Sequence, residues 1–217
     1  MTNESGGFSR EYWQQKAEDP FVYDDQVKYH ALVNLFARLE RTGVKVGPII
    51  FNIGGGVKPD QHLQWEQRED AQIFSVDFVA PIDSSLGHID ADINTVTKPE
   101  TVAYRKKLLE ISDSLGIDPK AASKEQVDTM IFSEVLNYVP YQEVLRSSLE
   151  FLKPGGVIVI FNFPGRTFPG MEKHLHEEGS KSNDELSNFL RELGLEILDE
   201  SLVQGKALCI AARKPKA

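Results

Sequence analysis

Two features of this chain have residue types suited to chemistry on a small ligand. One is the run FNIGGGVK at positions 51–58, and the other is Asp77, which closes the run QIFSVD at 72–77. Glycine is needed where the backbone must come close to a ligand or take a positive φ. Gly54, Gly55 and Gly56 directly follow the apolar run PIIFNI, so bare main chain lies at the end of a predicted strand. An acid at the end of the next strand can accept two hydrogen bonds from the vicinal hydroxyls of a ribose. A dinucleotide site asks for G-x-G-x-x-G, with the third glycine letting a helix pack close and face a pyrophosphate. Here the register gives Gly54, Gly56 and then Pro59, with Lys58 as the nearby cation. These residues favour a nucleoside ligand carrying little phosphate.

Other side chains could act on an acceptor. His174 and His176 lie in GMEKHLHEEG beyond the fifth predicted strand, and Tyr138 follows SEVLN. Either type can take a proton if it comes within hydrogen-bond reach of the group that loses it. Two histidines at i, i+2 converge on a metal only from extended backbone, and no further ligand spacing supports one, so no metal is expected. An aromatic N-terminal stretch with Tyr12, Trp13 and Tyr23 could close over an apolar substrate, or could simply pack a helix on a sheet.

The elements that must hold these residues alternate between short apolar runs and amphipathic stretches, as repeated βα units around a parallel sheet do. Predicted strands are 48–53, 72–77, 87–93, 127–133 and 156–163, of which the first, fourth and fifth are apolar enough to be covered on both faces. Leu32, Leu35, Phe36 and Leu39 give one helix a buried face, with Asp24 or Asp25 to start it and Gly43 to end it. Leu186, Phe189, Leu190 and Leu193 do the same for a helix opened by Ser182 and closed by Gly194. Further helix starts are expected at Thr97–Glu100 and at Asp118-Pro119. LEILDESLV and ALCIAARK are joined by only Gln204-Gly205-Lys206, which makes an antiparallel hairpin at the end of the sheet. The reading is a helical N-terminal cap over 1–45 and one doubly wound α/β domain over 46–217, with 97–126 long enough to add a pocket wall or a homodimer contact.

The chain has 217 residues and a formal net charge of −9. That excess of acid argues against nucleic acid or an anionic membrane as partner, since both repel it at long range. No apolar run approaches the ~20 residues that span a bilayer. The single cysteine, Cys209, sits in the strand-like ALCIAA and suits a reducing, cytoplasmic setting.

With these residues in place, the chain resembles the class I S-adenosylmethionine-dependent methyltransferases over roughly 45–213. FNIGGG stands where the family's first motif lies, VDF where its second strand ends, and HIDADIN where an aspartate meets adenine. VDTMIFSEVLNYVPYQEVLRSSLEFLKPGGVIVIFNF is similar to the family's fourth strand, following helix, Lys-Pro-Gly-Gly turn and fifth strand. The resemblance implies a mostly parallel seven-stranded sheet with an antiparallel strand between the fifth and sixth. It also implies S-adenosylmethionine as cofactor and a small-molecule acceptor methylated on oxygen, nitrogen or carbon.

On that resemblance Asn52 and Gly54–Gly56 would pass beside the methionine part, and Asp77 would hold ribose with Phe78 near adenine. Asp92 and Ile93 would meet the adenine edge, and Ser133 and Glu134 would line the sulfonium side. The family pattern acidic-x-G-x-G-x-G is broken at both ends here, by Asn52 and Lys58. A non-catalytic protein that keeps the fold but has an altered cofactor site is therefore the alternative.

Overall fold

The computed structural model describes residues 26–54, 72–77, 87–90, 127–164 and 175–216. Their order is α1 (Gln26–Arg41), β1 (Ile49–Ile53), β2 (Gln72–Asp77), β3 (Gly87–Asp90) and β4 (Val127–Ser133). Then follow α2 (Tyr141–Ser148), β5 (Leu152–Asn162), α3 (Asn183–Glu192), β6 (Glu196–Val203) and β7 (Ala207–Arg213). The expected helix starts at Thr97 and Asp118, and the caps Asp24 and Asp25, lie outside the described residues.

All seven strands join one sheet in the order β3-β2-β1-β4-β5-β7-β6. The first five in sequence pair parallel, and β7 runs antiparallel between β5 and β6. The direction of winding reverses between β1 and β4. In an open α/β sheet that reversal parts the connections on either side and leaves a crevice at the carboxyl ends of the strands.

Strand alternation explains why both faces of the centre are covered. Val157, Val159 and Phe161 of β5 and Ala207, Cys209 and Ala211 of β7 meet Leu32, Leu35, Phe36 and Leu39 of α1. The intervening Ile158, Ile160, Leu208, Ile210 and Ala212 meet α2 and α3 through Val144, Leu145, Leu186, Phe189 and Leu190. Thus α1, the described part of the expected N-terminal cap, lies against the sheet and is tied to its edge by Arg38. The guanidinium forks onto Asp199 of β6 with both contacts at 2.7 Å, which holds Arg38 above its ordinary pKa. Cys209 is fully buried under α1, and desolvation pushes its thiol up to about 12, so it remains a protonated packing residue.

The helix ends follow local chemistry. At the end of α1, Gly43 takes φ +76°; its N–H donates to Glu40 O and that of Val44 to Leu39 O, which satisfies two terminal carbonyls. Ser182 Oγ accepts from Glu185 N at 3.1 Å and so opens α3. Against the expected 48–53 and 156–163, β1 starts at Ile49 and β5 ends at Asn162, and the largest difference is that β5 starts at Leu152, before the Lys-Pro-Gly-Gly run. Val127 pairs with Leu152 and Thr129 already with Val157, so Lys153–Gly156 form an irregularity inside the strand. Gly155, at φ +80°, makes it possible, and its N–H donates to Lys214 O at 2.9 Å.

Candidate functional site at the carboxyl edge

Because β1, β2, β4 and β5 run parallel, their carboxyl ends bring Gly54, Asp77, Ser133 and Asn162 to one edge of the sheet. The register makes neighbours of them: Ile53 pairs with both Val76 and Phe132, so Gly54 lies between Asp77 and Ser133. Gly54 takes φ +71°, which an L side chain rarely adopts, and its N–H donates to Val76 O at 2.9 Å. The glycine therefore turns the chain out of β1 while staying bonded to β2. Asp77 is only 7% exposed, a carboxylate held largely out of water next to this turn. Asn52 is 1% exposed within β1, two residues before the turn.

On the other side of Gly54, Ser133 Oγ is buried and has no hydrogen-bond partner among the described residues. Glu134 leaves the strand at φ +56°, an unusual conformation for a residue with a side chain, with its N–H donating to Phe161 O at 2.8 Å. Its carboxylate lies 3.7 Å from the ammonium of Lys28 in the first turn of α1, and the two side chains are 13% and 12% exposed.

The loop after β4 is fixed by an amide pair. Asn137 Nδ2 donates to Phe163 O at 2.7 Å, and Asn137 Oδ1 accepts from Asn162 Nδ2 at 3.1 Å, both bonds buried. The backbone of 175–180 closes over this loop: His176 N donates to Asn137 O and Ser180 N to Leu136 O. A Cβ built on Gly179 would lie 2.2 Å from Asn137 O, so only glycine fits there. Nearby, Tyr138 is half-buried in the same turn, its N–H donating to Val135 O. His176 accepts from Glu178 N through Nδ1 at 3.1 Å, which in the neutral ring leaves the proton on Nε2.

Thus Asn52, Gly54, Asp77, Ser133 and Glu134 stand at or beside the edge where the sequence placed them, and Tyr138 lies in the loop beyond. Gly55, Gly56, Phe78, Asp92, Ile93, His174, Tyr12, Trp13 and Tyr23 lie outside the described residues. Lys28, Asn137 and Asn162 were not singled out by the sequence. Lys28 looks like an ordinary polar position on an amphipathic helix, and the two asparagines are 25 positions apart. Among the described residues no cluster of His, Cys, Asp or Glu could hold a metal ion, and no helix is long and apolar enough to cross a membrane.

This sheet order, with its reversal between β1 and β4 and its antiparallel β7, is the class I methyltransferase fold. The solved structures that share it say the same. One is the 1,6-didemethyltoxoflavin-N1-methyltransferase of Burkholderia thailandensis with 1,6-didemethyltoxoflavin and S-adenosylhomocysteine bound. It superposes at TM-score 0.65 and 16% identity, covering 95% of this chain and 87% of that one. The N-methyltransferase NodS of Bradyrhizobium japonicum WM9 in complex with S-adenosylhomocysteine gives 0.61 and 12%, covering 95% and 98%. The 4+2 cyclase SpnF gives 0.52 and 14%, covering 85% and 81%. No family model and no curated protein matches the sequence. At these identities the likeness defines the fold, and the cyclase is a reminder that this fold can be named for another reaction.

Proposed function

We propose that the chain binds S-adenosylmethionine across the carboxyl edge of β1, β2 and β4 and transfers its methyl group to a small-molecule acceptor. The observation that carries this reading is the pairing of a positive-φ glycine with a buried strand-end aspartate on the adjacent strand. The residues fit the cofactor. Asp77 would accept the ribose hydroxyls, Gly54 would admit the methionine part, and the buried Ser133 hydroxyl has a bond to give at the sulfonium side. Gly55, Gly56, Phe78, Asp92 and Ile93 complete the set by resemblance to the family.

The cofactor supplies a methyl group on an activated leaving group, so the protein's task is alignment and exclusion of water. Glu134 and Ser133 shape the crevice where the acceptor must approach in line. A base is needed only for an acceptor that must lose a proton, and His174 or Tyr138 is the group proposed to take it. Residues 1–45 would act as a cap over the 46–217 domain, with Tyr12, Trp13 and Tyr23 against an apolar substrate. The acidic chain and single reduced cysteine fit a cytoplasmic enzyme acting on oxygen, nitrogen or carbon of a small molecule.

One observation favours the second reading, a methyltransferase-like protein without activity. Asn52 stands where the family carries an acid and brings no negative charge toward a cationic ligand. Calorimetric titration separates the two. Saturable heat with S-adenosylmethionine and with S-adenosylhomocysteine supports the enzyme, whereas no heat and no thermal shift at millimolar ligand supports the inactive protein.

A further inference from the structure

An ion pair joins α1 to the end of β4 at this edge. Glu134 is held in a left-handed conformation, anchored by its N–H to Phe161 O, and its largely buried carboxylate faces an equally buried ammonium from another element. The 3.7 Å separation is longer than a hydrogen bond, so these two groups act on each other mainly as charges. Lys28 reaches this place because α1 packs on the sheet face of β5 and β7, with its first turn above the carboxyl edge.

Methyl transfer changes charge at one atom of the ligand. The sulfur–methyl bond breaks and its electron pair returns to sulfur, while an electron pair of the acceptor forms the new bond to the methyl carbon, so the positive charge passes from sulfur to the acceptor, which releases it as a proton where it carries one. A carboxylate alone beside the sulfonium would hold the cationic cofactor strongly. A cation behind that carboxylate weakens this preference.

We propose that Lys28 is a positioning residue and counter-charge that, with Glu134, sets the preference of the crevice for the cationic cofactor over its neutral thioether product. This inference rests on the S-adenosylmethionine reading above and adds to it a part for α1. The pair makes the ligand preference a difference between two opposed charges, so a change at either should shift it in a foreseeable direction. Lys28 raises the energy of a positive ligand at this place, and Glu134 lowers it. A purely packing role for Lys28 would weaken both ligands alike, because they share every group except the methyl and its charge.

The test is the ratio of dissociation constants, S-adenosylhomocysteine over S-adenosylmethionine, measured by calorimetry at neutral pH on the full chain. Lys28→Met is expected to raise the ratio roughly fivefold, as removal of a unit charge several Å away in a partly wet site would. Glu134→Gln is expected to lower it by a similar factor, and Lys28→Arg to leave it near the wild-type value. Lys28→Gln is measured beside Lys28→Met as a polar replacement.

Wild type binding neither ligand would sink the cofactor reading itself. Wild type binding both, with the ratio unmoved or lowered in Lys28→Met and Lys28→Gln, would overturn only the role given to Lys28. Loss of folding or of all binding in both neutral variants would also overturn that role, by showing Lys28 to be structural.

Discussion

Replacing Asp77 by Ala is expected to weaken S-adenosylhomocysteine binding by between about tenfold and a hundredfold, the largest effect of any single change at the crevice. The estimate follows from the roughly 1.5 to 3 kcal/mol of a hydrogen bond to a charged group. Asp77 closes β2 in ladder with Asp90 of β3, beside the turn at Gly54, and its carboxylate is largely withdrawn from water. Asp77→Asn keeps the shape and one acceptor oxygen but loses the charge and the second acceptor, so it should fall between wild type and Asp77→Ala. Titration calorimetry reads the affinities, and the melting temperature without ligand shows whether the fold is kept. Equal affinity in all three proteins would remove Asp77 from the site.

Asn137→Ala is expected to destabilise the protein by roughly 2 to 4 kcal/mol, a value reached by leaving Phe163 O and Asn162 Nδ2 buried without their partner. For a chain of this size that corresponds to a melting temperature lower by about 5 to 15 °C. The effect should reach the site as well, because the loop that Asn137 holds carries Tyr138 and follows Ser133 and Glu134. Asn137→Asp keeps an acceptor for Asn162 Nδ2 but buries a charge and sets a carboxylate oxygen against Phe163 O, so it should destabilise at least as much as Asn137→Ala. Differential scanning calorimetry checks both, and a melt unchanged from wild type would show that the amide pair does not hold the loop.

Much of the architecture was legible because it depends on short-range pattern. The 2-residue alternation and apolar runs located β2 and β4 to the residue, and the three-residue link with Gly205 foretold the antiparallel β6–β7 hairpin. Gly43 and Gly194 stop their helices at positive φ, as their place after the last apolar position suggests. The start of β5 was missed because Pro154-Gly155-Gly156 reads locally as a turn, while the pairing of Leu152 with Val127 is a non-local fact.

The position of the described site residues at the sheet edge was legible for the same reason. Gly54, Asp77, Ser133 and Glu134 follow from being strand ends in parallel βα units. Lys28 and Asn137 do not, since their places arise from contacts across the fold. Lys28 meets Glu134 only because α1 lies over the sheet, and Asn137 meets Asn162 only because β4 and β5 pair. No periodicity records either meeting.

On the proposed reading a nucleoside sulfonium lies across the carboxyl edge, its sugar held by Asp77 and its methionine part beside Gly54. A crystal structure of the chain with S-adenosylhomocysteine tests it most directly. The expected result has both ribose hydroxyls within about 3 Å of the Asp77 carboxylate, with the sulfur opening toward Ser133 and Glu134. Ligand density elsewhere on the molecule, or a ribose held without Asp77, would contradict it.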